Sequence, residues 1–363
     1  MSEQIVKQGY SSLEQLGSII KEGAYSRVLL FTGDASFEQS PAKPIIEKIF
    51  SSISFTRLSG YHMYPTFKDV VEGIKGFHSF RPDLIVAIGG GTIIDMAKMV
   101  NACVNKEDLP SIIRGEKPLE GVALPFVAIP TTSGTGSEAT QFAVVYLDNQ
   151  KYSLLHKDML PNYVILDPSL TDTLNPFVTA STGMDALCQS IESFWSVNST
   201  NESILYSKKG IELSLKYLHD AVNNPSKESR EGMQFAAYYS GKAINIAKTT
   251  AAHALSYHLT STYNIPHGQA VALLIGWVFK QNSLVTEENC NDSRGVEFVK
   301  RQLNTITELL KVDDITKVES FFDNLIKDLH LTSEAFELNN ETKKELFSKV
   351  NISRLKNNPV SLI

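Results

Sequence analysis

Two histidines stand fourteen residues apart in TTAAHALSYHLTSTYNIPHG (249–268): His253, and His267 inside a Pro-His-Gly turn. Upstream, GMDALCQSIES carries Asp185 and Gln189 at i,i+4 spacing, with Glu192 one turn further on. Residues four apart share a helix face, so a helical reading aims Asp185 and Gln189 at one point. Imidazole suits divalent iron, zinc or nickel, and carboxylate and amide oxygens suit harder ions. Asp185, Gln189, His253 and His267 together can surround one divalent metal. An ion with an open position polarises an aldehyde oxygen and stabilises the charge that develops there on hydride transfer. Taken singly, the same residues fit ordinary roles: an aspartate cap, a polar glutamine, a satisfied histidine.

A second group of residues is suited to phosphates. DLIVAIGGGTIIDMAK (83–98) runs from an apolar strand through Gly89, Gly90, Gly91 and Thr92 into a helix. Glycine lets a backbone approach a pyrophosphate closely, and a helix N-terminus offers free N–H groups and the positive end of its dipole. The spacing is not the G-x-G-x-x-G fingerprint, and a Gly-Gly-Gly turn alone also occurs without a ligand. PTTSGTGSEAT (130–140) adds a second loop of hydroxyls and glycines behind another strand, able to wrap the phosphates and ribose of a nicotinamide nucleotide. In FTGD, Gly33 stands where an acidic residue would exclude a 2′-phosphate, and Asp34 next to it can hold a ribose diol. NADH and NADPH both remain open.

The elements that must carry these groups are readable in outline. Apolar runs at 27–33, 83–91 and 125–130, and a weaker one at 52–58, alternate with helical periods at 66–80 and 92–104. This alternation predicts an α/β, Rossmann-like parallel sheet with helices on both faces. From Phe177 onward helical periods dominate. The expected division is an α/β nucleotide-binding domain over 1–172 and an all-α metal- and substrate-binding domain over 173–363, with ligands favouring the cleft between such domains. The segments after Gln281 look like amphipathic structural helices without chemistry.

Bulk properties set limits. The 363 residues are 42% hydrophobic and 20% charged, values usual for a globular protein. A formal net charge of −6 offers no broad attraction to nucleic acid or an anionic membrane. An anionic substrate would need a local basic pocket. No apolar run is long enough to span a bilayer, and MSEQIVKQGY lacks the apolar core of a secretory signal. Cys103, Cys188 and Cys290, odd in number and unevenly spaced, read as reduced thiols of a cytoplasmic protein.

Over most of residues 25–280 the chain resembles the iron-containing (group III) alcohol dehydrogenases. GGGTIIDMAK, PTTSGTGSE, Asp167-Pro168, TGMDAL…IES and the His253/Pro-His-Gly pair carry the likeness. The resemblance implies the dehydroquinate synthase-like architecture, NAD(P)-linked interconversion of alcohols and aldehydes, iron as the first candidate metal, and a possible homodimer. It also implies that Gly89, Gly90, Gly91 and Thr92 hold the pyrophosphate, with Asp95 and Lys98 in the helix behind. Thr131, Thr132, Gly134 and Ser137 would flank the cofactor, and Lys151 would approach the nicotinamide ribose. Asp185, His253 and His267 would ligate the metal.

The departures are informative. Gln189 replaces a usual histidine. Tyr257, with His258 beside it, stands where a further histidine is common. Lys248 and Thr250 occupy positions usually held by a small residue and a glycine. A cation and several hydroxyls beside the hydride-transfer site would suit a phosphonate, phosphate or carboxylate headgroup. Lys248, Tyr257 and His258 are therefore the expected substrate-handling residues, His258 as one route for the proton. TGMDALCQSIESFWSVNSTNES, GKAINIAKTTAAHALSYHLT and YNIPHG resemble a narrower branch, the phosphonoacetaldehyde reductases of phosphonate biosynthesis, which form 2-hydroxyethylphosphonate. A general short-chain alcohol dehydrogenase, a metal-independent reductase of the maleylacetate type, a dehydroquinate synthase and a nucleotide-binding protein without turnover are the competing readings.

Overall fold

The computed structural model describes residues 4–61, 65–121, 124–148 and 150–362. Contacts divide the chain into two compact units, one made of 1–132 and 136–173, the other of 133–135 and 174–363.

The first unit is built on a six-stranded sheet. Its strands are β1 (Ile5–Gln8), β2 (Arg27–Thr32), β3 (Ser54–Leu58), β4 (Leu84–Gly89), β5 (Phe126–Pro130) and, beyond a hairpin, β8 (Tyr163–Leu166). The order is β1-β8-β5-β4-β2-β3, and every pairing is parallel. The central strands are apolar throughout because both faces are covered. Leu29, Phe31, Ile85 and Ala87 pack with Val70, Phe77 and Ile94 of helices Phe67–Phe80 and Gly91–Cys103. Their neighbours Val28, Leu30, Val86 and Ile88 point the other way, onto Leu16, Ile19 and Ile46 of helices Gln15–Glu22 and Ala42–Ile49. This is the period-2 alternation of a strand applied to a sheet buried on both sides. Thr66 and Asp69 form a capping box that starts helix Phe67–Phe80.

Two features were not read from the sequence. β1 is only four residues long and half exposed. β6 (Phe142–Leu147) and β7 (Gln150–Leu155) form a separate antiparallel hairpin that sets Lys151 opposite Tyr146.

The second unit is helical. Helices Pro176–Trp195, Asn201–Asn223, Lys227–Ala247, Ala251–Tyr263 and His267–Ser283 are followed by Val296–Leu309, Val318–Asp328, Asn340–Lys349 and the short Ile352–Leu355. Their starts are chemically marked: the Asn175 side chain accepts from the Val178 N–H ahead of Pro176, and Thr200 and Ser226 each form reciprocal caps. Trp195, Phe194, Phe279 and Phe322 fill the core. Among the described residues no helix is long and apolar enough to cross a membrane, and the three cysteines are free thiols.

Candidate active site

Helix Ala251–Tyr263 stops at Asn264, which takes the left-handed conformation, and Pro266 cannot extend it. The chain turns back so that His267, first residue of the next helix, lies beside His253, with ring centroids 5.5 Å apart. Gly268 permits this, because a Cβ there would strike the Ser181 carbonyl of helix Pro176–Trp195. That helix brings Asp185 in from the other side. Asp185 Oδ1 lies 3.2 Å from His253 Nε2 and 4.0 Å from His267 Nε2. One ligand atom from each of Asp185, His253 and His267 falls within 4.8 Å of the others. A carboxylate and two imidazole nitrogens converging in this way are a donor set that fits a divalent transition metal with open positions.

A residue outside the expected ligand set orients the site. Glu192, fully buried, accepts at Oε1 from the Thr250 hydroxyl (2.7 Å) and from the N–H groups of Ala252 (2.9 Å) and Thr250 (3.2 Å). Its Oε2 is in close contact with His253 Nδ1. A carboxylate on Nδ1 leaves Nε2, the atom facing Asp185, as the basic nitrogen, the usual arrangement behind a metal-bound histidine. Burial alone would push the His253 pKa down, but Glu192 and Asp185 on either side raise it to about 10. Asp185 is driven up by burial and pulled down harder by the two histidines, ending below the ordinary carboxylate range. The signal for Glu192 was its place one turn beyond Gln189 on the same helix.

Thr250 also accepts from Trp195 Nε1 at 2.8 Å. The threonine that replaces a usual glycine thus links a buried indole to the carboxylate behind His253. Thr250→Val keeps the shape and deletes the hydroxyl. It is expected to weaken Co2+ or Zn2+ binding roughly tenfold, the low end of the effect of losing such a supporting partner, as measured by competition with a chelating dye. Unchanged affinity would remove Thr250 from this role.

Gln189, the expected fourth ligand, lies on the Asp185 face of its helix. Its Oε1, the only atom by which an amide binds a metal well, accepts from Ser240 Oγ at 3.0 Å. Its side chain hydrogen-bonds to Asp185 and helps to keep that carboxylate ionised. Spacing placed it on the Asp185 face, where its side chain lies between Asp185 and Ser240.

The substrate-handling candidates separate. Tyr257, one turn after His253, stacks on His267 with centroids 5.6 Å apart and planes 8° from parallel. His258, five residues after His253, is rotated about 140° around the helix. There it contacts Glu345 Oε1 at 2.8 Å and Thr262 at 3.2 Å, and Glu345 also accepts from Tyr263. The proton role expected of His258 is therefore withdrawn, since its ring is tied to helix Asn340–Lys349. Lys248 ends helix Lys227–Ala247 with φ 64° and ψ 172°, a region almost reserved for glycine that costs other residues about 1–3 kcal/mol. Its ammonium donates to the Asn245 carbonyl at 3.2 Å, and burial lowers its pKa to about 8.

In the first unit, Gly90 caps helix Gly91–Cys103 with ordinary negative φ. A Cβ at Gly90 would meet only Thr132, at 3.4 Å. Neither backbone conformation nor internal crowding demands glycine there, and the space that a Cβ would fill suits a phosphate approaching the helix N-terminus. Thr131 N–H donates to the Gly89 carbonyl, fastening the second loop to the first. Gly134 belongs instead with the helical unit, where a Cβ would strike Thr182. Asp95 and Ser137, expected beside the cofactor, hold each other: Ser137 Oγ donates to Asp95 Oδ1 at 2.5 Å, and Val144 N–H donates to Oδ2 at 3.0 Å. Both Asp95 oxygens are thus occupied within the loop and hairpin. Lys98, 1% exposed, donates to the carbonyls of Ser137, Thr140 and Phe142 at 2.6–3.0 Å. Burial lowers its pKa to about 8 against the pull of Asp95 and Glu138, and burial raises Glu138 to about 7. Lys151 is close enough to act on Asp95 electrostatically. At the end of β2, Arg57 donates to the carbonyls of Gly33 (3.0 Å) and Asp34 (3.2 Å) and pairs with Glu38.

The family model for iron-containing alcohol dehydrogenases matches residues 4–168, and the C-terminal model of the same family matches 179–346. The chain belongs to the iron-containing alcohol dehydrogenase family. It is 34% identical over 259 residues to the phosphonoacetaldehyde reductase of Streptomyces viridochromogenes, an alignment covering 68% of this chain and 65% of that one. It is 31% identical to long-chain-alcohol dehydrogenase 1 of Geobacillus thermodenitrificans over 74% of this chain and 70% of the relative. Its fold is similar to that of the sulfoacetaldehyde reductase from Bifidobacterium kashiwanohense in complex with NAD+, with a TM-score of 0.87, 25% identity, and coverage of 100% of this chain and 94% of the other.

Proposed function

We propose that this family member reduces a small anionic aldehyde to the primary alcohol with NADH or NADPH, phosphonoacetaldehyde to 2-hydroxyethylphosphonate being the foremost case. A divalent metal held by Asp185, His253 and His267 would supply Lewis-acid polarisation of the carbonyl. A reduced nicotinamide held by the glycine loop would supply the hydride to the carbonyl carbon, and water the proton to the oxygen. Gly89–Thr92 and the Thr131–Thr132 loop would cradle the cofactor phosphates, with Gly33 admitting a 2′-phosphate and Asp34 able to take a ribose diol. Among this chain's own residues, Glu192 fixes the tautomer of His253, Gln189 steadies Asp185, and Lys248 attracts the headgroup.

The observation that carries the anionic reading is Lys248. A largely desolvated cation sits five residues before His253 in a conformation that glycine adopts more easily. Strain of this kind persists where the side chain has work to do. Two of the similar proteins are named as reductases of aldehydes that carry a phosphonate or a sulfonate group, which supports the same substrate class.

Lys248→Gly tests it. Relief of strain should raise stability by about 1 kcal/mol after the entropy cost of glycine. The KM for phosphonoacetaldehyde should rise about tenfold or more with the loss of a charged hydrogen bond, while propionaldehyde is unaffected. Thermal melts and steady-state kinetics read the two effects. A wild-type KM for the phosphonate would contradict the role given to Lys248.

A further inference from the structure

The last described helix, Ile352–Leu355, carries a cation, Arg354, that no local sequence pattern singles out. The Arg354 guanidinium carbon lies 5.1 Å from the centre of the Tyr257 ring, and Nη1 donates to the Tyr257 hydroxyl at 3.3 Å. His267 is also stacked on that ring, with centroids 5.6 Å apart. An arginine and a candidate metal-binding histidine therefore both contact one tyrosine ring.

Arg354 is partly buried, yet among the described residues no carboxylate lies within ion-pair distance of it. Arg294 in the same unit shows the contrast: its guanidinium is taken up by Asp292, Ser196 and Ser199. The segment bearing Arg354 is also fastened to the strip that bears Lys248. Asn357 Nδ2 donates to the Thr249 carbonyl at 3.3 Å, and Val197 N–H donates to the Asn357 carbonyl at 3.1 Å. Two cations from distant parts of the sequence thus lie on segments that hydrogen-bond to each other.

We propose that Arg354 is a specificity residue, forming with Lys248 an anion subsite for the headgroup of the aldehyde. A guanidinium presents two parallel N–H groups to a phosphonate, sulfonate or carboxylate, and stacking on Tyr257 fixes the plane of that fork. This inference rests on the anionic-aldehyde reading above and names the residue that recognises the charge.

The test uses the full-length, metal-loaded enzyme with phosphonoacetaldehyde and propionaldehyde, and ethylphosphonate as an unreactive competitor. Arg354→Met keeps a long side chain over Tyr257 without the charge. It is expected to lower kcat/KM for phosphonoacetaldehyde about 30-fold and to weaken ethylphosphonate inhibition comparably, leaving propionaldehyde within about threefold. Arg354→Lys should recover only part of the loss, because a lysine lacks the fork. A wild-type preference for the anion that survives in Arg354→Met overturns the subsite alone. An equal loss on both aldehydes shows a purely structural stack and also overturns it. A wild-type enzyme with no preference for the anion overturns the substrate reading together with the subsite.

Discussion

His253→Ala should abolish stoichiometric binding of a divalent metal and lower kcat/KM for aldehyde reduction by about a thousandfold. The size follows from the several kcal/mol that Lewis-acid polarisation contributes, each 1.36 kcal/mol being a factor of ten. The substitution removes the Nε2 that faces Asp185 and leaves Glu192 Oε2 without the imidazole it contacts. Glu192 keeps the Thr250 hydroxyl and the N–H groups at the start of helix Ala251–Tyr263, so the helix should still form. Metal content after dialysis and steady-state kinetics measure the two losses. Nucleotide binding, followed by quenching of NADPH fluorescence, should persist because Gly89–Thr92 lie in a unit with its own cores. Full activity in a metal-free variant would favour the metal-independent reductase reading instead.

Lys98→Met should destabilise the α/β unit by about 4 kcal/mol, in the range for removing one partner of a buried charged network. Lys98 gathers the carbonyls of Ser137, Thr140 and Phe142 while Asp95, one turn earlier, holds Ser137 and the Val144 N–H. Methionine fills the same volume but removes the ammonium from three carbonyl oxygens, of which that of Ser137 keeps the Thr140 N–H, and an unsatisfied buried acceptor costs about 1–3 kcal/mol. The melting midpoint should fall by about 10 °C, and the KM for the nicotinamide cofactor should rise as the 130–140 loop loosens. An unchanged midpoint would mean that the loop is held by other means.

These two expectations mark what the sequence discloses and what it does not. β4 was legible because a strand buried on both faces must be apolar at every position, as LIVAIG is. β7 was not, because QKYSLL is half exposed and its partner strand is joined to it by a polar turn. Residue type and spacing offered Asp185, His253 and His267 as one possible metal set, and the family resemblance singled them out, but neither the i,i+4 rule nor the Pro-His-Gly turn brings the two segments together. Helical spacing fixes the face on which a side chain lies but not its partners on other helices, so the contact of Gln189 with Ser240 could not be read. His258 misled because adjacency to Tyr257 along the chain is a rotation of about 100° around a helix. Arg354 is separated from Tyr257 by nearly a hundred residues, and no local pattern joins them.

Lys248 and Thr250 are the instructive departures. In sequence they are only larger residues where small ones are usual. In the structure the φ of Lys248 explains why a small residue is usual there, and the contacts of Thr250 show what its replacement adds: a hydroxyl between Trp195 and Glu192.

The most direct measurement is oxidation of NADH and NADPH with phosphonoacetaldehyde beside propionaldehyde, in chelator-treated protein and after adding back Fe2+, Zn2+ or Ni2+. The account predicts little turnover without metal, recovery with at least one ion, and a kcat/KM for the phosphonate at least about a hundredfold above that of the neutral aldehyde. Equal use of the two aldehydes, or full activity after metal removal, would contradict it.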